Sequence, residues 1–260
     1  MTKQKTVKVC VVGGAGRMGR RVLDICASSS DLLAVSILVR PEDSVDQLDG
    51  IRVETDARQA FTDVDVVIDF SAPPSVDKTI PAAVELGVGY VLASTGLSIE
   101  AEETLKDASK DIPLIVASNC SLGVNVLSAL VETAARALSG FDIEIFEIHH
   151  NQKRDAPSGT ALTLAEAVTR ARPLKVTTTR SGNDDVRSGD SLGVVAARGG
   201  DVAGEHTVFY FGDGERLELT HRATSPIIFA QGALKAAQWL SEKDAGLYTM
   251  RDVLGLGETQ

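Results

Sequence analysis

Short runs rich in β-branched residues recur through the first half of the chain, and segments with helical spacing separate them. The first run, Val7–Val12, is typical of a strand buried on both faces of a parallel sheet. Further runs of this kind lie at 32–39, 65–70, 89–93 and 113–117, and the helical segments lie at 17–27, 75–86 and 99–110. This alternation predicts an α/β fold with a doubly wound parallel sheet of the Rossmann type.

The pattern changes in the second half. After a long apolar helix at 121–138, residues 143–148 alternate apolar and acidic positions, which predicts a strand buried on one face. Three more predicted strands, at 192–198, 206–211 and 216–222, include a hairpin at Gly212-Asp213-Gly214. These elements predict a second, α+β domain with a mixed or antiparallel sheet.

The boundaries follow from this change of pattern. We predict a dinucleotide-binding domain from 1–120 and 231–260, and a substrate-binding and oligomerisation domain from 121–230. A helix at 227–240 and a short element at 248–254 are expected to return to the first domain. Two polar segments are predicted as loops, 175–190 and 41–63, the latter with a short strand at 51–53.

A glycine-rich turn follows the first predicted strand. Residues 13–19 read Gly-Gly-Ala-Gly-Arg-Met-Gly and fit both Gly14-x-Gly16-x-x-Gly19 and Gly13-x-x-Gly16-x-x-Gly19. Strand, glycine turn and helix form the context of a dinucleotide fingerprint, in which the backbone approaches a pyrophosphate at a helix N-terminus. The turn therefore predicts a nicotinamide dinucleotide site.

The end of the second predicted strand bears on the choice of cofactor. An acid that would bind the ribose hydroxyls of NADH is replaced by Val39, and Arg40 follows. A guanidinium suits a 2′-phosphate, so Arg40 favours NADPH. Glu42 and Asp43 stand close enough to reach a ribose, which leaves NADH open.

A cationic segment joins the predicted strand at 143–148 to a helix that begins near Thr160. It contains His149, His150 and Lys153, and Ser158 suits the N-cap of the helix. A bare helix N-terminus beside a cation attracts carboxylate or phosphate. In a chain of net charge −10, this segment predicts a local site for an anionic ligand.

Composition narrows the function classes. The chain is 43% hydrophobic and 24% charged, as in ordinary globular proteins, and its acidity argues against nucleic acid and anionic membranes as partners. Three scattered cysteines form no disulfide framework or metal spacing, and no signal segment or membrane span is evident. We expect a cytoplasmic protein.

Several of these motifs together resemble the bacterial 4-hydroxy-tetrahydrodipicolinate reductase (dihydrodipicolinate reductase) family. The similarity covers almost the whole chain and includes Ser-Asn119-Cys-Ser, Gly-Glu205-His206-Thr and, most specifically, His149-His150-x-x-Lys153-x-Asp-Ala-Pro-Ser-Gly-Thr160. It implies reduction of a cyclic dicarboxylate by NADPH or NADH with loss of water, in lysine and diaminopimelate biosynthesis. It also implies a homotetramer.

The resemblance also implies residue roles. His149 and Lys153 are the catalytic acid–base residues, with Lys153 the proton donor. The substrate-binding residues are His150, Ser158, Gly159 and Thr160. The cofactor-binding residues are Gly13, Gly14, Ala15, Gly16, Arg17, Met18, Arg40, Ala93, Ser94, Thr95, Ala117, Ser118, Asn119 and Cys120.

Three alternatives remain open from the residues alone. Cys120, beside a predicted helix N-terminus, could be the nucleophile of a thiol-dependent aldehyde dehydrogenase. A protein of this fold could instead sense NADPH without turning it over. A metal site built from His149, His150, His206 or His221 is disfavoured, because adjacent residues of a strand point to opposite faces.

Overall fold

The computed structural model describes residues 6–43, 45, 48–94, 96–179 and 186–257. The chain forms two compact units. The first comprises Met1–Leu122 with Ile227–Gly255, and the second is mainly Gly123–Pro226. The unit borders at 122/123 and 226/227 lie close to the sequence-based borders at 120/121 and 230/231.

The element bounds are as follows. The strands are β1 Val7–Val12, β2 Leu32–Leu38, β3 Arg52–Glu54, β4 Val66–Asp69, β5 Gly89–Leu92, β6 Pro113–Val116, β7 Asp142–His149, β8 Lys175–Thr177, β9 Ser191–Arg198, β10 Gly204–Gly212, β11 Glu215–Ala223 and β12 Gly246–Tyr248. The helices are α1 Arg17–Ala27, α2 Ala57–Phe61, α3 Val76–Leu86, α4 Ile99–Ala108, α5 Leu122–Ala137, α6 Gly159–Ala171, α7 Ile227–Leu240 and α8 Met250–Val253.

The first unit contains a seven-stranded sheet in the order β12-β6-β5-β4-β1-β2-β3, and every pair is parallel. Apolar residues of α1 and α7 pack with one set of strand residues, and those of α3 and α4 pack with another. The predicted Rossmann-type sheet is confirmed. The helix at 227–240 belongs to this unit, as expected.

The second unit contains a five-stranded mixed sheet in the order β11-β10-β7-β9-β8. β10 pairs antiparallel with β11 and β7, whereas β9 pairs parallel with β7 and β8. Residues of α5 and α6 pack on one face, against Ile143, Ile145 and Val208. This arrangement confirms the predicted α+β domain.

Two predicted loops contain regular structure. Within 41–63 the chain forms α2 after β3, and Asp56 caps the helix by accepting a hydrogen bond from Gln59 N. Within 175–190 the chain forms β8, while residues 180–185 lie outside the described part. The short strand predicted at 51–53 is confirmed as β3. The predictions missed α2 and β8, because elements of three to five residues are too short to show a period.

Candidate active site

The glycine turn after β1 is tightly packed and contains one glycine with a positive φ. Gly13 has φ +75°, which glycine adopts without strain. A Cβ at Gly14 would stand 2.6 Å from Ile37 Cβ, and one at Gly19 would stand 2.4 Å from Gly13 O. α1 begins at Arg17 with no side-chain cap and no acid in its first turn. Its N–H groups can therefore receive an anion.

The strand register aligns the predicted cofactor residues of the first unit at one edge of its sheet. Val12, Asp69, Leu92 and Val116 are successive register partners at the carboxyl ends of β1, β4, β5 and β6. The residues that follow these ends include Gly13, Ala93 and Ala117. Such an edge is where open α/β sheets bind ligands.

Other predicted cofactor residues of this edge differ in exposure. Ser94 Oγ is buried without a hydrogen-bond partner among the described residues, so it is available to a ligand. Ser118 is exposed, and Asn119 Oδ1 accepts a hydrogen bond from Ser121 N at 2.8 Å. Thr95 lies outside the described residues.

Arg40 is exposed two residues after β2, and its guanidinium is already paired. Nη2 lies 2.7 Å from Asp43 Oδ1, and Nη1 lies 3.6 Å from Glu42 Oε1. The hydrogen bond and charge of Asp43 raise the pKa of Arg40. A 2′-phosphate would have to compete with these carboxylates for the guanidinium.

In the second unit, the inner face of β7 ends in two polar residues. Ile143 and Ile145 are followed on that face by Glu147, which is 0% exposed, and His149, which is 8% exposed. The Glu147 carboxylate accepts hydrogen bonds from His149 Nδ1 at 2.7 Å and from Ser158 N at 2.9 Å. Arg198 donates to both of its oxygens, at 2.8 and 2.9 Å.

These contacts determine the charge states of Glu147 and His149. Burial alone raises the pKa of Glu147, but the hydrogen bonds from Arg198, His149 and Ser158 outweigh it and the net pKa is lowered. Burial lowers the pKa of His149 and outweighs the opposing effect of Glu147, while Lys153 and Arg198 lower it further. At neutral pH the site therefore holds an anionic Glu147 and a neutral His149.

The loop after β7 contains the cationic side chain of Lys153. Lys153 Nζ lies 2.9 Å from Asp155 Oδ1, and this hydrogen bond lowers the pKa of Asp155. His150, just beyond the strand, accepts a hydrogen bond from Gln152 N at 3.2 Å. The Ala156–Pro157 peptide bond is cis.

Ser158 is the N-cap of α6, as predicted. Its hydroxyl accepts a hydrogen bond from Ala161 N and also lies 3.1 Å from His206 Nε2. Burial lowers the pKa of His206 to about 4, so this ring is neutral. Gly159 is exposed and Thr160 is partly exposed in the first turn of α6, at the end of the helix whose dipole favours an anion.

Both halves of the chain match one protein family. Residues 7–120 match the family described as "Dihydrodipicolinate reductase, N-terminus", and residues 123–254 match "Dihydrodipicolinate reductase, C-terminus". The chain belongs to the dihydrodipicolinate reductase family. It is therefore an oxidoreductase, and the glycine turn of its Rossmann-type unit fits a nicotinamide dinucleotide.

Similar proteins cover nearly all of the chain. The 4-hydroxy-tetrahydrodipicolinate reductase of Sulfurimonas denitrificans is 42% identical over 95% of this chain and 99% of its own length. That of Anaeromyxobacter sp. is 43% identical over 96% of this chain and 98% of its own length. A dipicolinate-bound dihydrodipicolinate reductase from Paenisporosarcina sp. has the same fold, with a TM-score of 0.80 at 20% identity, covering 94% of this chain and 97% of its own.

Glu147 and Arg198 are site residues to which the sequence analysis gave no role, and His206 was named only in a family motif and as a disfavoured metal ligand. One signal for Glu147 was present. The apolar alternation of β7 changes phase at Phe146, so Glu147 occupies an inward position where an apolar residue is expected. Arg198 carries no such signal, because its partner lies 51 residues away in sequence.

The thiol-nucleophile alternative is contradicted by the surroundings of Cys120. The residue is 2% exposed, and burial raises the pKa of its thiol to about 12. A nucleophilic cysteine needs a lowered pKa and access to substrate. Within the described ranges, no group of three His, Cys, Asp or Glu side chains is placed to hold a metal ion, and no helix is long and apolar enough to cross a membrane.

Proposed function

We propose that this enzyme reduces 4-hydroxy-tetrahydrodipicolinate to tetrahydrodipicolinate, with loss of water, in lysine and diaminopimelate biosynthesis. The two relatives named above carry that activity in their names. The observation that carries the proposal is the combination, within the second unit, of neutral His149, the Lys153 ammonium and the N-terminus of α6. Together they offer the proton donor and the anion-binding groups that reduction of a cyclic dicarboxylate requires.

The proposed roles follow from this chemistry. NADPH or NADH supplies the hydride. Lys153 donates a proton where negative charge develops on the substrate, and His149 acts with it in acid–base catalysis. His150 and the N-terminus of α6, at Ser158, Gly159 and Thr160, bind the substrate carboxylates.

We assign the cofactor to the glycine turn and the carboxyl edge of the parallel sheet. The turn fits a pyrophosphate, since Gly14 and Gly19 stand where a Cβ would collide with neighbouring atoms. Ser94 Oγ, which has no hydrogen-bond partner among the described residues, lies along the same edge. The cofactor-binding residues therefore remain Gly13–Met18, Arg40, 93–95 and 117–120, with Cys120 contributing its backbone because its side chain is buried.

The test is oxidation of cofactor with freshly made substrate, prepared enzymatically from pyruvate and aspartate semialdehyde. NADPH and NADH are followed in parallel. We expect turnover with at least one of them. Tight NADPH binding without oxidation would instead favour the sensing protein.

Asp43→Asn is expected to shift the preference towards NADPH. The substitution removes the charge of the nearer of the two carboxylates that pair with Arg40, so a 2′-phosphate competes more easily for the guanidinium. Exposed pairs are worth about 1 kcal/mol or less, so the ratio of kcat/KM for NADPH over NADH should rise about 3- to 5-fold. Asp107→Asn is the control, because Asp107 also forms an i,i+3 pair at 2.7 Å, with Lys110, and neither residue is assigned to the cofactor. An unchanged ratio in Asp43→Asn would refute the role of Arg40.

We further propose a homotetramer located in the cytoplasm. The face of the mixed sheet opposite the helices carries apolar side chains, including Val195 and the stacked rings of Phe209 and Phe211. An exposed apolar sheet face is typical of a surface that pairs with another copy. Light scattering of the purified protein would measure the number of chains.

A further inference from the structure

The buried carboxylate of Glu147 has all of its hydrogen-bonding capacity filled. Oε1 accepts from Ser158 N and Arg198 Nη2, and Oε2 accepts from His149 Nδ1 and Arg198 Nη1. An ionised carboxylate can only accept. The contact of 2.7 Å with His149 therefore requires the hydrogen of the neutral imidazole to be on Nδ1.

The opposite nitrogen of the ring is left open. With the hydrogen on Nδ1, Nε2 of the neutral imidazole carries a lone pair. Nε2 has no hydrogen-bond partner among the residues that the structure describes. Gly204 keeps the space beside it clear, since a Cβ at that position would stand 2.9 Å from Nε2.

We propose that Glu147, anchored by Arg198, is a positioning residue that fixes the tautomer of His149 and presents Nε2 as a proton acceptor to the substrate. His149 in this form cannot donate a proton, which leaves Lys153 as the donor. Glu147 also accepts from Ser158 N, at the start of α6. Glu147 thereby links His149 through hydrogen bonds to the N-terminus of α6, which is proposed to bind the substrate. This inference rests on the proposed function for its catalytic consequence, but not for the tautomer itself.

Glu147→Gln should reverse the tautomer. The amide nitrogen would replace one oxygen and face two donors. The backbone N–H of Ser158 is always a donor, so the remaining oxygen of Gln should face it. The amide N–H₂ would then face His149, whose Nδ1 can become the acceptor if the ring hydrogen moves to Nε2. We expect kcat to fall about 100-fold, because the ring then presents a donor where an acceptor is needed. KM should change less than kcat.

The pH profile separates this role from a general structural defect. The charged and titratable groups around His149 are Glu147 on its own strand, Arg198 on β9, His206 on β10 and Lys153 in the following loop. Burial lowers the pKa of His149, and Glu147 opposes that effect. Loss of the carboxylate should therefore move the acid limb of kcat to lower pH, whereas a structural defect would reduce activity equally across the range.

The experiment combines kinetics with ring nitrogen NMR on histidine-labelled protein, with His149→Asn assigning the signals. In the native chain we expect Nδ1 of His149 to be protonated and Nε2 to be bare. A proton on Nε2 would overturn the proposal, as would native kcat in Glu147→Gln. Glu144→Gln is the matched control, because Glu144 lies on the opposite face of β7 with Arg187 at 3.1 Å, and it should keep native kinetics.

The two measurements also separate the two proposals. If Glu147→Gln fails to fold because Arg198 is left unpaired, the spectrum of the native chain still decides the tautomer. If the native chain shows no reductase activity, the proposed function fails, while the spectrum still reports on Glu147 and His149.

Discussion

Lys153→Met is expected to reduce kcat about 10²- to 10⁴-fold, the range that a positioned proton donor contributes. Methionine has a similar length but cannot donate a proton or carry charge. NADPH binding should stay within about twofold of native, because the residues assigned to the cofactor belong to the first unit and Lys153 belongs to the second. The measurements are steady-state kinetics with freshly made substrate and a fluorescence titration with NADPH.

The division between kcat and KM tells which role Lys153 has. If Lys153 only attracted a substrate carboxylate, its loss would raise KM and leave kcat near native. A donor that acts in the transition state lowers kcat itself. The neutral, lone-pair form of His149 predicts the second result, because Nε2 in this form cannot donate a proton and Lys153 is the proposed donor.

Arg154→Met is the matched control. Arg154 is the exposed neighbour of Lys153 in the same loop, so its removal lowers the positive charge of the loop by the same amount. We expect kcat within about twofold of native, as for most surface substitutions. Equal losses in both variants would show that net charge, and not a specific donor, governs the rate.

The parts of the fold that were predictable from sequence are those with long periodic patterns. α1 and α7 have the predicted bounds, at 17–27 and 227–240, and the five predicted strands of the parallel sheet all form. Their patterns reflect local rules, namely burial on both faces for parallel strands and 3.6-residue spacing for helices.

The strands β8 and β12 were not predicted, because tertiary contacts define them. β8 exists through its pairing with β9, and β12 through its pairing with β6. Neither three-residue strand has an alternation long enough to recognise. The short element predicted at 248–254 contains α8, whose helical type depends on a capping box between Thr249 and Asp252.

The features of the candidate site also separate into those that were predictable from sequence and those that were not. The glycine turn, the Ser158 cap and the His149–Lys153 spacing are local in sequence, and each could be interpreted from neighbouring residues. Ser158 and His206 are 48 residues apart, and they meet because the register of β7 and β10 sets Glu147 opposite His206. Pairings of this kind follow from sheet topology and not from any single segment.

Gly232→Ala is expected to destabilise the protein by about 3 kcal/mol or more, at the severe end of overpacking. Helix propensity alone would predict that the substitution stabilises the protein, since alanine is favoured over glycine by about 1 kcal/mol inside a helix. The difference comes from packing. A Cβ at Gly232 of α7 would stand 1.7 Å from Cys120 O and 2.7 Å from the carbonyl carbon of Cys120. These are backbone atoms, which cannot move aside as a flexible side chain could.

The same clash predicts a functional effect. Relief of the contact would displace the segment after β6, which contains the cofactor residues assigned at 117–120, so NADPH should bind more weakly in the folded fraction. Urea unfolding measures the stability, and fluorescence titration measures the binding. Gly140→Ala is the control, because a Cβ there meets no atom within 4 Å, and its effect should stay within about 0.5 kcal/mol. If Gly232→Ala were as stable as the native protein, α7 would be able to shift away from Cys120 at little cost in free energy. The close packing of α7 against the segment at 117–120 would then not be needed for the fold.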